Sequence, residues 1–357
     1  MGASPVSDAL VIQSHAGPYE VAFGAVEPLA PPDGYHLIVD ARVAELHRDR
    51  LKAWLGGPSV LVIEAREANK SLEAFPRYVD HLVAQGARRD HVLVAVGGGI
   101  IQDITCFLAA TLLRGMDWRF IPTTLLAQAD SCIGSKSSIN NGGAKNILGT
   151  FTPPRSVLID AAFLDTLSDA DMRSGIGEIL KAHAIDGAEA FDTVAAELPR
   201  LATDRALLAK RIRAALAIKR GFIETDEFDR GPRLSFNYGH SFGHAIEAAT
   251  DFAVPHGIAV TIGMDMANWI SWRLGRDDGA PHARMHPALI ANYHPFATLP
   301  VPLEPLIAAL GKDKKNTGSG AATVILPLAS GGVERVRLPL DDTFVGLCRR
   351  FLTEERR

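Results

Sequence analysis

The segment Val92-Leu-Val-Ala-Val-Gly-Gly-Gly-Ile-Ile-Gln-Asp103 decides the fold class of this chain. Its first five residues are an unbroken apolar run, which is typical of a strand buried on both faces of a parallel sheet. Three glycines follow, and then an apolar segment at 100–113 with the length of a helix. Further short apolar runs, each followed by a loop or a helical segment, lie at 36–40, 59–64 and 119–121. The pattern predicts βαβ architecture around a parallel sheet.

The glycine turn has two interpretations. Glycines let the backbone approach a ligand closely, and the free amides at the start of the following helix attract phosphate. The spacing is not GxGxxG, however, and a tight strand–helix turn needs no ligand, so the turn alone is weak evidence for a dinucleotide. Asp103 lies in the first turn of the predicted helix, where it either binds a ligand hydroxyl or simply favours the positive end of the helix dipole.

Composition narrows the class of protein. A chain of 357 residues exceeds one usual hydrophobic core, and we expect two domains, residues 1–167 and 168–357. The net charge of −4 gives no global attraction for nucleic acid. The 3 cysteines form no CxxC and fit a reducing compartment. With no recognisable signal peptide or transmembrane run, the sequence predicts a cytoplasmic protein without a nucleic-acid or membrane partner.

A long polar segment at 130–146 follows the predicted sheet strands. Its carboxylate, amides and two lysines suit a pocket for a polyol phosphate, with Lys136 and Lys145 as the cations, but would cost little if solvated. Thr123 and Thr124 stand just after a strand. Their hydroxyls suit either a ligand at the edge of the sheet or the N-cap of a helix.

The second half of the chain is mostly helical by its pattern and contains a candidate metal site. His240 and His244 share one face of a helix, and His256 stands at the start of another. Imidazoles joined by one carboxylate are typical metal ligands, although histidines of the core, surface or turns are the simpler interpretation. Glu178 supplies a carboxylate, but its three-residue spacing to Lys181 is equally typical of an exposed ion pair.

Taken together and in order, several motifs resemble the 3-dehydroquinate synthases and the wider sugar phosphate cyclases. The matching segments, spread over nearly the whole chain, are 96–103, 114–115, 122–131, 134–136, 145–149, 177–181 and 237–247. The resemblance implies an α/β fold, with an N-terminal Rossmann-like NAD-binding domain followed by a mostly α-helical metal- and substrate-binding domain. It also implies a homodimer, because Arg114 resembles the arginine that reaches a neighbouring subunit's phosphate site.

The resemblance assigns roles to individual residues. It implies that a divalent metal, zinc or cobalt, is bound by Glu178, His240 and His256. It implies NAD contacts from Asp40, Glu67, Lys70, Gly98, Gly99, Asp103, Thr123, Thr124, Lys145 and Thr166. It implies catalytic roles for Asp130, Lys181, Lys219, Asn237 and His244. It implies substrate binding by Arg114, Lys136, Asn146, Arg233 and one or both of Lys314 and Lys315.

The implied reaction converts 3-deoxy-D-arabino-heptulosonate 7-phosphate into 3-dehydroquinate and phosphate. In the family, an alcohol is oxidised by NAD, phosphate leaves by β-elimination, the ketone is reduced again, and an intramolecular aldol step closes the carbocycle. The metal polarises the reacting oxygens. The phosphate's own oxygen serves as the base for elimination, while Lys219 and Arg233 pair with the substrate carboxylate.

Departures from the family pattern leave the substrate open. They are Arg42, Ser135, Asp229 and Ile258, where Asn, Gly, Glu and Glu are common. A specialised cyclase acting on sedoheptulose 7-phosphate or an amino analogue is therefore one alternative. A metal-dependent polyol dehydrogenase of the same fold and a non-catalytic dinucleotide-binding protein are two others.

Overall fold

The computed structural model describes residues 9–27, 29–142, 144–312, 320–328 and 332–356, and these form two compact units. The first unit is Met1–Leu167 with Arg220–Phe228, and the second is Ser168–Lys219 with Asp229–Arg357. The sequence predicts that residues 220–228 belong to the second domain. The structure groups them with the first unit, where Glu224 and Glu227 accept hydrogen bonds from the backbone amides of Gln13 and His15 at 2.9 and 2.7 Å.

The first unit is built around one sheet. Its strands are β1 Leu10–Ile12, β2 Tyr19–Phe23, β3 Tyr35–Asp40, β4 Val60–Ile63, β5 Val92–Gly97, β6 Asp117–Pro122 and β9 Ser156–Ile159. They form a 7-stranded sheet in the order β1-β2-β9-β6-β5-β3-β4, in which β1 is antiparallel to β2 and the other neighbouring pairs are parallel. The helices of this unit are α1 Ala41–Leu46, α2 Lys52–Leu55, α3 Phe75–Ala84 and α4 Gly99–Thr111. The predicted parallel sheet is confirmed.

The burial of β5 explains its uniformly apolar sequence. All six of its residues are buried, and its neighbours β3 and β6 are paired to it in parallel. One face contributes Val94 and Val96 to a core that also contains Val39, Ile121 and Phe163. Complete burial of a Val or Phe side chain contributes about 1.5–3 kcal/mol, so this strand stabilises the sheet from both sides.

The polar segment at 130–146 is more ordered than its sequence predicted. A π-helical turn occupies Ala127–Ser131, and an antiparallel hairpin follows, formed by β7 Lys136–Asn141 and β8 Ala144–Phe151. Asp103 of α4 accepts a hydrogen bond from the Ser138 amide at 3.1 Å. The hairpin is therefore fixed to the sheet unit by polar contacts that an apolar pattern does not reveal.

The second unit is mostly helical, as predicted. Its helices are α5 Asp169–Asp186, α6 Ala188–Leu201, most of α7 Arg205–Thr225, α8 His240–Ala249, α9 His256–Arg273, α10 Ala280–Tyr293, α11 Leu303–Lys312 and α12 Asp342–Arg350. Strands β10 Ala321–Pro327 and β11 Val333–Pro339 pair in an antiparallel arrangement. In the described part of the chain, we find no helix long and apolar enough to cross a membrane.

Helix α9 is the centre of the helical unit. Its residues 257–271 are all buried, and it packs against α5, α8 and α10. Glycines allow two of these approaches. A Cβ atom on Gly257 would lie 1.9 Å from the Ser174 carbonyl oxygen of α5, and one on Gly263 would lie 2.1 Å from the Gly239 carbonyl oxygen at the start of α8.

Replacing Gly263 by alanine should therefore destabilise the helical unit. The added methyl group meets backbone atoms that cannot rotate away, so we expect a loss of about 1–3 kcal/mol in the free energy of unfolding. Urea denaturation followed by circular dichroism measures this loss. Gly346→Ala in α12 is the matched control, because nothing lies within 4 Å of a Cβ atom there. Equal stability of the two variants would contradict the close crossing of α8 and α9.

Candidate active site

Two histidines of the helical unit lie close to one carboxylate. Glu178 stands in the middle of α5 and is 1% exposed. The Nε2 atoms of His256 and His240 lie 3.4 and 3.8 Å from its Oε1 atom. Ligand atoms that share a zinc ion at bond lengths of about 2.0–2.2 Å stand roughly this far apart, and a carboxylate with two imidazoles is an ordinary zinc ligand set. The donor set therefore fits a divalent metal.

Lys181 binds the other oxygen of Glu178. Its Nζ atom lies 2.5 Å from Oε2, and its side chain is only 2% exposed. The interpretation of this spacing as an exposed ion pair is therefore wrong. Burial raises the pKa of Glu178, but Lys181 and His256 outweigh this effect and hold the pKa well below its usual range. The carboxylate stays ionised, with Oε1 directed to the histidines.

The ligand histidines are oriented by partners on their other ring nitrogen. Nδ1 of His256 lies 3.2 Å from Oε2 of Glu247, and Nδ1 of His240 lies 3.3 Å from the Tyr238 carbonyl oxygen. Such contacts fix the tautomer and direct Nε2 towards a metal. Burial lowers the pKa of His256, but the hydrogen bonds to Glu178 and Glu247 raise it to about 10. A divalent cation that binds here displaces this proton.

His244 stands one turn after His240 on α8 and is exposed. Its ring centroid lies 5.3 Å from that of His240 and 5.6 Å from that of His256. One nitrogen from each of the three rings lies within 4.8 Å of the others. His244 is therefore adjacent to the centre formed by Glu178, where its imidazole is within reach of a metal or of a substrate held there.

Two further cations of the helical unit are buried. They are Lys219 in α7 and Arg233 in the 3-10 turn Pro232–Asn237. Lysine and arginine are almost never fully buried unless they are paired, so both suit a protein or ligand anion. In the same turn, the Asn237 Nδ2 atom donates a hydrogen bond to the Leu234 carbonyl oxygen at 3.0 Å.

The glycine turn of the sheet unit has features that fit a dinucleotide. Gly98 is the N-cap of α4, and a Cβ atom there would lie 3.0 Å from Cγ2 of Thr124. Around Gly99 the space is open, since a Cβ atom there would meet no other atom within 4 Å. Thr123 donates its backbone amide to Gly97, while its buried Oγ1 atom has no hydrogen-bond partner among the described residues. An orphaned hydroxyl beside open helix-terminal amides matches a pyrophosphate or ribose contact.

A network of polar side chains in the same unit includes Asp103 of α4. Lys70 is buried, and its Nζ atom donates to Oδ2 of Asp103 at 3.0 Å and to Oδ1 of Asn146 at 2.8 Å. Glu67 lies 3.6 Å from the same nitrogen. Burial raises the pKa of Asp103, and Lys70 opposes this shift. The structure thus groups Asn146, expected at the substrate, with three residues expected at NAD.

The remaining residues implied by the resemblance have separate environments. Asp40 is the N-cap of α1 and accepts from the Arg42 amide, and Thr124 accepts from the Ala127 amide, so both have a capping role. The Thr166 hydroxyl is hydrogen-bonded to His47 at 2.8 Å. Asp130 stands in the π-helical turn, and three cations are exposed: Arg114, Lys136 and Lys145. Lys314 and Lys315 lie outside the described residues.

Sequence reasoning missed two supporting residues. Glu247 ends the His-Ala-Ile-Glu motif and contacts His256, nine residues later, only because α8 and α9 pack together. Asn140 donates to Glu67 at 2.9 Å and accepts from the Asn146 amide at 2.8 Å, and so connects the hairpin to the Lys70 network. The presence of Glu247 inside a matching segment was the only signal for either residue.

Comparison with known proteins assigns the chain to a family. Two family profiles match, described as 3-dehydroquinate synthase N-terminal over residues 60–174 and 3-dehydroquinate synthase C-terminal over residues 175–316. A 3-dehydroquinate synthase from Rhodospirillum rubrum is 38% identical over 332 residues, which cover 89% of this chain and 86% of that relative.

Solved structures give the same result for the fold. The 2-epi-5-epi-valiolone synthase ValA from Streptomyces hygroscopicus subsp. jinggangensis 5008, with NAD⁺ and Zn²⁺ bound, is 29% identical, with a TM-score of 0.79 over 93% of this chain and 97% of ValA. A 2-deoxy-scyllo-inosose synthase complexed with carbaglucose-6-phosphate, NAD⁺ and Co²⁺ is 23% identical, with a TM-score of 0.81 over 97% of this chain and 100% of that chain, and shares the fold. With both of its halves matched by the family profiles, this chain belongs to the 3-dehydroquinate synthase family.

Proposed function

We propose that this chain is a 3-dehydroquinate synthase, which converts 3-deoxy-D-arabino-heptulosonate 7-phosphate into 3-dehydroquinate and phosphate. NAD and a divalent metal, zinc or cobalt, are its cofactors. The observation that carries the proposal is the buried Glu178 carboxylate, whose Oε1 atom lies 3.4 Å from His256 and 3.8 Å from His240. The relatives named above support the reaction class.

The helical unit supplies the metal site. When bound, the metal acts as a Lewis acid that polarises substrate oxygens and lowers the pKa of an alcohol. Glu178, His240 and His256 hold it, and three protein ligands leave coordination positions for substrate. Lys181 binds Oε2 of Glu178 and so keeps Oε1 available to the metal. Glu247 holds Nδ1 of His256 and so presents Nε2 in the correct orientation.

The sheet unit supplies the NAD site. When bound, NAD would supply reversible hydride transfer, so that the substrate is oxidised and later reduced within one cycle. The amides at the N-terminus of α4, beside Gly98 and Gly99, donate hydrogen bonds to the pyrophosphate, and Thr123 offers the hydroxyl that has no hydrogen-bond partner among the described residues. Asp40 stands at the carboxyl end of β3, where a carboxylate suits a ribose hydroxyl. The remaining contacts of the cofactor come from Glu67, Lys70, Asp103, Thr124, Lys145 and Thr166.

Substrate recognition requires cations, because the substrate has a phosphate and a carboxylate. Lys219 and Arg233 are buried, and we assign the substrate carboxylate to them, because water screens such charges little. The family resemblance assigns the phosphate to Lys136, Asn146, His244 and one or both of Lys314 and Lys315. Asp130 and Asn237 fix ring hydroxyls. The leaving phosphate itself accepts the proton in the elimination, so these residues need only to position it.

The proposal also includes a homodimer. Arg114 is exposed in a turn with φ of 65°, and we assign it to the phosphate site of a second copy of the chain in a homodimer.

A polyol dehydrogenase is disfavoured because a neutral polyol needs no buried Lys219 and Arg233. A specialised cyclase is the stronger competitor, since ValA shares 29% of its sequence with this chain.

A phosphate-release assay separates these activities. With 3-deoxy-D-arabino-heptulosonate 7-phosphate, we expect stoichiometric phosphate, 3-dehydroquinate by NMR, and no net NADH, because the cofactor is regenerated in each cycle. Sedoheptulose 7-phosphate, which lacks the carboxylate, should release none. If phosphate is released only from sedoheptulose 7-phosphate, the substrate assignment is wrong, although the assignment to the cyclase reaction class stands. Accumulation of NADH with simple polyols would instead establish a dehydrogenase.

The roles of His240 and His244 are separable by metal content. His240→Ala removes a ligand, so we expect loss of the bound metal and of all activity. His244→Ala removes a substrate contact, so we expect full metal content and a turnover lowered by about 10²-fold, typical of a misplaced substrate. Plasma mass spectrometry counts the metal, and His294→Gln, an exposed histidine after α10, is the control. Metal loss in His244→Ala would make His244 a ligand.

Glu247 should affect metal affinity without binding the metal. Glu247→Gln removes the negative charge that supports Nδ1 of His256, and loss of such an outer partner typically lowers metal affinity by about 10–100-fold. Competition with a fluorescent zinc chelator measures the affinity. Glu304→Gln, exposed on α11, is the matched control and should leave it unchanged. Equal affinities of the two variants would show that the Glu247 contact is structural only.

A further inference from the structure

A second buried carboxylate of the helical unit has no role in the proposed reaction. Asp265 stands in the middle of α9 among apolar neighbours and is 0% exposed. A charge buried in this way is costly unless polar partners surround it. Its Oδ2 atom accepts a hydrogen bond from the Tyr293 hydroxyl at 2.6 Å. Tyr293 ends α10, which packs along α9.

Two histidines of α10 are directed at the same carboxylate. Nδ1 of His286 lies 2.8 Å from Oδ2 and 3.0 Å from Oδ1 of Asp265, and Nε2 of His282 lies 3.6 Å from Oδ1. The two rings are one helical turn apart and stack at 4.8 Å between centroids. Trp272 also stacks on His282, at 5.7 Å between centroids, so this ring is held in place.

A hydrogen-bond network around Asp265 does not explain the environment of the His282 Nε2 atom. The residue is 8% exposed, and its buried Nε2 atom has no hydrogen-bond partner among the described residues. Tyr293 and His286 already satisfy the Asp265 carboxylate, whereas an unmade bond at a buried imidazole costs about 1–3 kcal/mol. A neutral imidazole is the form that binds a metal, and burial favours that form by lowering the pKa of His282.

We propose that Asp265, His282 and His286 form a second divalent-metal site, which binds zinc or a cation of similar preference. One donor atom from each residue lies within 4.8 Å of the other two. A carboxylate with two imidazoles is a ligand set suited to zinc, and Tyr293 holds the carboxylate from outside as an outer-shell partner. The site binds the ion by replacing the proton that His286 shares with Asp265.

This site is separate from the Glu178 centre. Asp265 follows His256 by nine residues on the same helix, which corresponds to about 14 Å along its axis. One ion therefore cannot serve both sets of ligands. The His286 side chain is 26% exposed, so a cation has access from solvent without opening the core. Because its ligands come from α9 and α10, the ion would connect these two helices rather than take part in the reaction.

The test is zinc content of the full-length protein. Wild type and variants are saturated with zinc, freed of loose metal by gel filtration, and analysed by plasma mass spectrometry. We expect Asp265→Asn and His286→Gln each to lose one zinc per chain relative to wild type, and His294→Gln to lose none. The comparison is with wild type, so it holds whatever the Glu178 centre binds. Unchanged zinc content in both variants would overturn the proposal.

Two further measurements keep the result decisive. His286 is partly exposed, so His286→Gln tolerates replacement even if Asp265→Asn unfolds, and circular dichroism checks both. Crystals of wild type soaked in zinc should give an anomalous difference peak between Asp265, His282 and His286 at the zinc edge. The same crystals of His286→Gln should lack it. Absence of that peak in wild type would show that the cluster is a hydrogen-bond network only.

Discussion

The candidate active site depends on a carboxylate that the helical unit buries completely. Glu178 is 1% exposed, and such a charge is stable only if cations and donors surround it. Lys181 satisfies one oxygen, and two imidazoles face the other. Without a metal, the proton on His256 balances the charge at Oε1. A divalent ion at the same place would replace that proton and be bound by the carboxylate and both imidazoles.

The geometry of this centre follows from a close crossing of two helices. Gly177 directly precedes Glu178, and Gly257 directly follows His256. A Cβ atom on Gly177 would lie 2.2 Å from the Gly257 carbonyl oxygen, so any larger residue would separate α5 from α9. The Glu178–His256 distance of 3.4 Å depends on that approach. The same helix, α9, also presents Asp265 to α10, so one buried helix organises both clusters.

Sequence reasoning succeeded where the signal is local. The apolar run 92–96 identified the central strand, because burial on both faces removes the need for polar residues. It failed where partners are distant in the chain. Nothing in the spacing of Glu178 and Lys181 shows that α5 is buried. The polarity of 130–146 fitted either a ligand pocket or solvent, and did not reveal that its groups bond to Glu67, Lys70 and Asp103. The pair His282 and His286 has the same four-residue spacing as His240 and His244, but Asp265 reaches it only through tertiary packing.

The hydrogen bonds around Lys70 hold the polar hairpin of β7 and β8 in one conformation. Asn146 has a left-handed backbone, with φ of 50°. Its backbone amide donates a hydrogen bond to Asn140, and its side-chain oxygen accepts hydrogen bonds from Lys70 and Ser138. A residue in this conformation persists only where its surroundings determine it. Ordering the loop before a ligand arrives removes an entropy cost that binding would otherwise have to overcome. The effect on binding affinity is largest for phosphate and dinucleotide ligands, because their negative charges interact strongly with donors that are already in position.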